Sequence, residues 1–178
     1  MKWTSVLFFA VATLATFKNG EAEAETIKVD GADAYVVPGR VEAEAFHRFK
    51  DTDLAHAGNC GTGPVDAEVT SDPTGGNCNV GWTAPGEWLE YDIFSQTKGV
   101  FGMKVRVAGQ MPDTRLHVEL DGFNISNSLL MPQAGWQVWD DRVIDDVYMA
   151  CGKHRLRVYI ESGSVNINYM DFWLKRAL

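Results

Sequence analysis

The run WLEYDI at residues 88–93 decides the fold, because apolar and acidic side chains alternate along it with a period of two. Apolar residues also recur at every second position in residues 103–107, 116–120, 156–160 and 165–169, where basic or other residues stand between them. Period-two alternation is typical of half-buried strands, and no stretch keeps an amphipathic helical period for three turns. The Gly-rich connections between these runs favour an all-β fold, an antiparallel β-sandwich.

Length and charge narrow the class of ligand. A chain of 178 residues with 46% hydrophobic residues forms one globular domain with a short appendage. It carries 24 acidic against 16 basic side chains, a formal net charge of −8. Nucleic-acid binders and proteins that bind anionic membranes need a basic surface, so both classes are excluded and neutral ligands are favoured.

The N-terminus has the pattern of a secretory signal peptide over residues 1–24. Its apolar run at 6–14 is too short to span a bilayer, and a small-x-small cleavage site ends at Ala24. The sequence thus predicts a secreted, soluble protein. Residues 25–39 are interpreted as a loosely attached lead-in, and 40–178 as the domain itself.

Three cysteines are an odd number for an oxidising compartment. Cys60 and Cys78 bracket one Gly/Pro/Asp-rich loop, and we expect these two to form a disulfide. Cys151 is then either a buried free thiol, which we favour, or a site of intermolecular pairing. Asn124 begins an N-glycosylation sequon, which would place it on a surface loop if it is used.

Catalytic motifs are absent from the sequence. It contains no phosphate-binding glycine loop, HExxH, GxSxG or CxxC motif. The four histidines are scattered singly, which indicates surface residues rather than metal ligands: His47, His56, His117 and His154. Glu87, Glu90 and Asp92 could supply a glycosidase carboxylate pair, but a solvated acidic strand face is the simpler interpretation.

Glu42 and Glu44 are separated by one residue. On a strand, such side chains project from the same face, where two carboxylates repel one another. An extracellular calcium ion between them would relieve that repulsion, since calcium prefers oxygen ligands. The alternative is an exposed acidic edge, and the pattern alone leaves both open.

The tryptophans suggest a sugar-binding surface. Trp136 and Trp139 are three residues apart, so on a strand at most one enters the core easily. Trp82 follows a Gly/Asn-rich stretch with weak packing constraints. A flat exposed indole suits the apolar face of a pyranose, and a nearby amide such as Asn166 can bind its hydroxyls. Burial in the core is the alternative for each tryptophan.

Four blocks in order resemble a carbohydrate-binding module of family 6. They are VEAE at 41–44, NVGW at 79–82 running into GEWLEY at 86–91, GWQVW at 135–139 and VNINY at 165–169. The resemblance covers residues 40–175, nearly the whole predicted mature domain. It implies a β-jelly-roll sandwich that binds polysaccharide and has no catalytic machinery.

The resemblance also implies a sugar site at one loop end. Trp82 and Trp136 match the two aromatic platforms of the family, and Asn166 matches its amide. The family often has an acidic residue two positions after the first aromatic, where this sequence has Ala84. That departure speaks against xylan-type specificity.

A structural calcium site away from the sugar is implied as well. Glu42 and Glu44 match the paired glutamates of that site, and the family adds an oxygen ligand from the last strand. Asn168 and Asp171 are both candidates for this third ligand.

The ligand implied by the resemblance is a neutral polysaccharide. The stretch from 63 to 76 and the GEWLEY block resemble modules attached to β-1,3-glucanases and agarases. We therefore expect a lectin-like monomer that binds β-glucan first, then agar-type polysaccharide, xylan or cellulose. A sandwich that has lost sugar binding and serves as a structural or interaction protein, or a small glycosidase, are the alternatives.

Overall fold

The computed structural model describes residues 17–18, 21–22, 25–52, 57–61 and 63–178. Within these ranges the chain forms strands and turns but no helix, and therefore no helix that could cross a membrane. The apolar run and the cleavage position Ala24 of the predicted signal peptide lie outside the described residues, as does His56.

The described strands fall into an N-terminal and a C-terminal group. The first group contains β1 (Phe17–Lys18), β2 (Glu21–Ala22), β3 (Thr26–Val29), β4 (Ala32–Val37), β5 (Gly39–Glu42), β6 (Arg48–Lys50), β7 (Ala67–Val69) and β8 (Cys78–Val80). The second contains β9 (Trp88–Ser95), β10 (Gly99–Gly109), β11 (Arg115–Leu120), β12 (Phe123–Asn124), β13 (Leu129–Leu130), β14 (Gly135–Met149), β15 (Gly152–Ser162) and β16 (Asn166–Ala177).

Two sheets form the domain, and β1 and β2 pair separately with each other. One sheet has the order β14-β10-β16-β8-β7, with β5 also paired to β16. The other has the order β12-β11-β15-β9-β4-β3, with β13 on β11 and β6 on β9. The predicted all-β sandwich of jelly-roll class is confirmed, with antiparallel pairing throughout the described strands except between β4 and β9.

The core lies between the two sheets and consists of the alternating apolar residues. In WLEYDI, for example, Leu89, Tyr91 and Ile93 are buried in it. Val105 and Val158, from two other alternating runs, are wholly buried in the same core. Burial of this kind stabilises a fold by about 25 cal/mol per Å² of apolar surface, so the alternation selects which face of each strand turns inward.

Strand β16 breaks the alternation at Asn168, the first of its two register shifts against β10. Ile167 pairs with Val107 of β10 and Tyr169 pairs with Arg106, so Asn168 is an extra residue in β16. Such a β-bulge re-aims the side chains that follow it. Tyr169, which the alternation predicts on the core side with Ile167, is instead buried under the guanidinium of Arg40, 3.5 Å above its ring.

Residues 25–39 differ from the prediction of a loose lead-in. They form the hairpin of β3 and β4, and β4 extends the larger sheet by pairing in parallel with β9. Ala34, Val36 and Val37 are buried, and Val37 belongs to the core. The segment AYVV is short and follows a polar turn, which conceals its role as a strand from the sequence pattern.

Candidate functional site

A cleft at one end of the sandwich brings together the three predicted sugar-binding residues. Trp82 lies between β8 and β9, Trp136 near the start of β14, and Asn166 at the start of β16. With Glu68 and Ser164 they line a cleft of about 220 Å³. Residues more than 80 positions apart in the chain thus meet at one loop end, as the resemblance implied.

The two indoles are presented to solvent rather than packed in the core. Trp82 is 48% exposed and Trp136 is 37% exposed. Trp82 has a φ of 48°, in the left-handed region that bulky residues rarely adopt, and such strain is concentrated at functional sites. Gly58 lies beside this indole: a Cβ there would lie 3.0 Å from the Trp82 ring and only 1.9 Å from the Ala67 carbonyl oxygen, so a side chain does not fit.

Asn166 is 3% exposed, and its orientation in the cleft is fixed. Its Nδ2 donates to Glu68 Oε1 at 2.8 Å and to the Trp136 carbonyl at 2.6 Å. Both partners are acceptors, so the amide group cannot be flipped without losing both bonds. The atom that Asn166 can offer to a ligand is therefore the acceptor Oδ1.

Glu68 is a cleft residue that the sequence analysis missed. It is the middle residue of the three-residue strand β7, inside the Gly/Pro/Asp-rich loop that the disulfide closes. Its Oε1 accepts hydrogen bonds from Gln137 and Asn166 at 2.7 and 2.8 Å. Glu68 thus brings to the cleft a carboxylate that Ala84 lacks, and the path of so irregular a loop gives no periodic signal that would reveal it.

A second polar cluster lies where β5 meets β16. The backbone N–H of Ala43 donates to the carbonyl of Asn168 at 2.8 Å, which sets Glu42 and Glu44 beside the bulge. Glu42 Oε2, Glu44 Oε2 and Asn168 Oδ1 are buried without a hydrogen-bond partner. Three buried acceptors without donors are costly, and a cation would satisfy all of them.

The pKa values of Glu42 and Glu44 agree with a site whose negative charge has no sufficient counter-charge. Burial, together with the neighbouring Glu44 carboxylate, raises the pKa of Glu42 to about 7. Burial also raises the pKa of Glu44 to about 7. Without a cation, these carboxylates therefore hold protons that free glutamates would release.

Two glycines close this cluster from the loop side. A Cβ at Gly75 would lie 1.9 Å from Asn168 Nδ2, and one at Gly76 would lie 3.3 Å from Glu42 Oε2. The described residues contain no group of three or more His, Cys, Asp or Glu side chains arranged for a metal. The donor set here is two carboxylates and an amide oxygen, which fits a hard cation such as Ca²⁺.

The two candidates for the third ligand differ in the structure. Asp171 forms a two-pronged ion pair with Arg40 at 2.8 and 3.0 Å, and Lys104 lies 3.7 Å away. Asn168 Oδ1 has no such partner, while its Nδ2 donates to Asp72 at 3.1 Å. The geometry therefore favours Asn168 over Asp171.

The carboxylates considered for glycoside hydrolysis are engaged elsewhere. Glu87 accepts hydrogen bonds from the backbone and hydroxyl of Thr52 and from the backbone of Ala84. Glu90 and Asp92 are ion-paired with Arg48. Their side chains are 2% and 6% exposed, so the expected solvated acidic face is wrong.

Electrostatics also argue against an acid–base pair on this face. Burial alone would raise the pKa of Asp92, but hydrogen bonds from Arg48 and Lys153 outweigh it and hold the pKa at about 2. The pKa of Glu90 is also lowered, because the guanidinium groups outweigh burial. A glycosidase needs one carboxyl kept protonated near neutral pH, and neither residue provides it. The depression here, about 540 Å³, is larger than the cleft, and its lining mixes four carboxylates with the cationic side chains of Lys153, Arg155 and Arg157.

The cysteines and the sequon have mixed outcomes. Cys60 and Cys78 form the predicted disulfide, with their Cα atoms 5.7 Å apart. Cys151 is a free thiol but an exposed one, so the expectation of burial is wrong. Asn124 is exposed on β12, as a glycosylated residue must be, and its modification stays a prediction.

A family model supports the carbohydrate-binding resemblance. The model of a carbohydrate-binding module of family 35 matches residues 61–172, which is more than half of the chain. The matched range includes the cleft residues but begins after Glu42 and Glu44.

Solved structures of family 6 modules have the same fold. A β-1,3-glucan-binding module from Bacillus halodurans aligns with a TM-score of 0.61 and 22% identity, over 79% of this chain and 98% of that chain. The C-terminal family 6 module of a marine laminarinase from Zobellia galactanivorans aligns with a TM-score of 0.58 and 25% identity, over 75% and 96%.

A third neighbour was solved with a different sugar. The module from Cellvibrio mixtus lichenase 5A, in complex with cellotriose, aligns with a TM-score of 0.57 and 24% identity, over 76% of this chain and 96% of that chain. The resemblance to family 6 modules is thus confirmed among the solved structures, and the family model that matches is that of family 35.

Proposed function

This chain belongs to the carbohydrate-binding modules of family 35, and we propose that it binds a neutral polysaccharide in the cleft between Trp82 and Trp136. The observation that carries the proposal is the convergence of two solvent-exposed indoles on one buried, fixed amide. A contiguous exposed apolar patch rimmed by polar groups is typical of a ligand-binding groove. One sugar ring stacks between the indoles, and Asn166 Oδ1 accepts from a ring hydroxyl.

β-1,3-Glucan is the polysaccharide that we propose first. One structural neighbour is a β-1,3-glucan-binding module, and another belongs to a laminarinase. Other neighbours were solved with cellotriose or cellobiose, so β-1,4-linked glucan is the next candidate. A neutral chain suits a protein with a net charge of −8, because an anionic polysaccharide would be repelled.

The proposed role is non-catalytic. Modules that stack one or two rings in an open cleft bind with a Kd on the order of 10 µM to 1 mM, and such affinity holds a protein on a surface with many repeated sites. We also propose that the protein is secreted. The disulfide supports this location, since such bonds persist in oxidising compartments.

We further propose a structural calcium ion held by Glu42, Glu44 and Asn168. The three unpartnered oxygens and the closely approaching loop at Gly75 and Gly76 support it. The ion would supply charge compensation and cross-link β5, β16 and the loop. No step of sugar recognition requires it to touch the ligand.

Affinity electrophoresis tests the sugar proposal. The protein is run through gels that contain laminarin, agarose, xylan or hydroxyethylcellulose. We expect retardation in laminarin, and a roughly fivefold to hundredfold loss of affinity in Trp82→Ala and in Trp136→Ala, taking about 1–3 kcal/mol for one ring stacked on an aromatic side chain, the value known for nucleic-acid bases.

The matched control is Trp173→Ala. Trp173 is 37% exposed, like Trp136, but lies seven residues beyond Asn166 on β16 and so outside the cleft. It should keep wild-type affinity. Retained binding in a folded double variant of Trp82 and Trp136, or no retardation in any gel, would contradict the proposal.

A further inference from the structure

Gln137 uses every hydrogen-bonding group of its side-chain amide. Its Nε2 donates to Glu68 Oε1 at 2.7 Å and to Asn79 Oδ1 at 3.0 Å. Its Oε1 accepts from the backbone N–H of Ser71 at 2.8 Å and from the Ser71 hydroxyl at 3.1 Å. One side chain therefore connects the strand that carries Trp136 to β7, to β8 and to the loop after β7.

The most consequential of these contacts is the one to Glu68. Gln137 and Asn166 both donate to Oε1, and Asn79 lies at the edge of hydrogen-bond distance, 3.5 Å away. Among the described residues, the hydrogen bonds to this carboxylate all go to Oε1. Its other oxygen, Oε2, accepts no hydrogen bond from these residues, and Glu68 lines the cleft.

We propose that Gln137 is a positioning residue for sugar binding. It holds the Glu68 carboxylate so that Oε2 accepts a hydrogen bond from a hydroxyl of the sugar that stacks between Trp82 and Trp136. The inference rests on the proposed function of the cleft and adds a specificity element to it. Oε2 of Glu68 and Oδ1 of Asn166 together present only acceptors, which selects for a ligand edge with two donating hydroxyls.

The chemistry of the site explains why an amide is needed at position 137. A glutamate there would lose the donor and set a second acceptor against Glu68 Oε1 and Asn79 Oδ1. A leucine keeps the volume but makes none of the four bonds. In either variant the Glu68 side chain regains rotamers that the wild-type network excludes, and the hydrogen bond to the ligand loses its fixed geometry.

The test is a double-mutant cycle between Gln137 and Glu68, measured as affinity for laminarin in gel retardation and in calorimetry. Gln137→Leu should bind about tenfold more weakly than wild type, since loss of a hydrogen bond to a charged group is of that order. In the Glu68→Ala background, the same substitution should change affinity by less than about twofold, because the group that it positions is gone.

A second measurement separates positioning from folding. Gln137→Leu should lower the melting temperature in both backgrounds, because its bonds to Asn79 and Ser71 are lost in either one. Its effect on affinity should be seen only where Glu68 is present. Equal tenfold losses in both backgrounds would overturn the inference, as would wild-type affinity in Gln137→Leu. If the wild-type protein binds none of the four polysaccharides, the proposed function fails and the inference about Gln137 fails with it. If the wild type binds but the variants behave otherwise than expected, the inference alone fails.

Discussion

Two acidic pairs in this protein have the same spacing and opposite electrostatics. Glu42 and Glu44 are separated by one residue, as are Glu90 and Asp92, and the structure removes both pairs largely from solvent. Yet the pKa of each glutamate in the first pair is raised to about 7, while the pKa of Asp92 is held at about 2.

The cations around each pair explain the difference. Glu90 and Asp92 are both ion-paired with Arg48. Arg157 also lies 2.8 Å from Glu90, and Lys153 lies 3.0 Å from Asp92. Near Glu42 the available cation is Arg40, whose guanidinium is already bound to Asp171 and to a loop carbonyl. A buried carboxylate pair thus becomes structural when the protein supplies its counter-charge. It becomes a candidate ion site when the protein does not.

The largest expected effect is the gain in stability when calcium binds at Glu42 and Glu44, since the pair of Glu90 and Asp92 already has its counter-charge. Calcium at a thousandfold excess over its Kd should raise the free energy of unfolding by about 4 kcal/mol, because it binds the folded chain alone. At this chain length that corresponds to a melting temperature about 10 °C higher. Calorimetry with calcium or with a chelator measures it. The melting temperature of a Glu42→Gln/Glu44→Gln variant should not respond to calcium. An unchanged melting temperature of the wild type would contradict the proposed calcium site.

A second effect, of a few kcal/mol, is expected from pH in the presence of a chelator. The folded-state pKa of Glu42 and Glu44 exceeds the ordinary value of 4.5, so the folded chain binds protons more tightly. The free energy of unfolding should therefore rise as the pH falls from about 7 to about 4.5.

Below that range the second pair dominates. The pKa of Asp92 is lower in the folded chain than its ordinary value of 3.8, so the stability it contributes is lost between about pH 4 and pH 2. Melting curves across pH 2–8 should thus show a maximum near pH 4.5 with the chelator. Calcium should abolish the fall in melting temperature between pH 4.5 and 7. A melting temperature that does not change over this range with the chelator present would refute the raised pKa values.

The smallest expected effect has opposite signs at the two pairs. At pH 8 with a chelator, Glu42→Gln should raise the free energy of unfolding by about 1 kcal/mol, since it removes an uncompensated buried charge. Glu90→Gln should lower it by about 1 kcal/mol, since it leaves arginines without their partner.

Asp145→Asn is the control for this last comparison. Asp145 forms an exposed ion pair with Lys175, and such pairs contribute little. Its denaturant midpoint should stay within error of wild type. The same sign of change at both glutamates would remove the distinction between the pairs.

The strands and the cleft tryptophans could be predicted because their signals are local. Period-two alternation marks the strands that build the core, and Trp82 and Trp136 lie in Gly-rich or strand-entry contexts that discourage burial. Asn166 begins the last strand and was predicted from the VNINY block at 165–169. Each of these features depends on a few neighbouring residues.

The features that escaped prediction depend on partners distant in the chain. The burial of Glu90 requires Arg48, which lies 42 residues earlier. The Gln137 contact to Glu68 spans 69 positions. The bulge at Asn168, which turns Tyr169 away from the core, follows from registers with both neighbouring strands. No periodicity carries such information.

The Cys60–Cys78 bond closes the segment that supplies Glu68 to the cleft and brings Gly75 and Gly76 over the glutamates. Of the described residues of that segment, none belongs to the main core cluster between the sheets, although Ala67 is buried and Val65 packs against the cluster. Reduced protein should therefore keep its two sheets and still unfold cooperatively. Its affinity for sugar, however, should be lower. For a preparation made in a reducing cytoplasm, a normal circular dichroism spectrum is no guarantee of a competent molecule. A count of titratable thiols, one in the intact protein and three in the reduced protein, is the better criterion of quality.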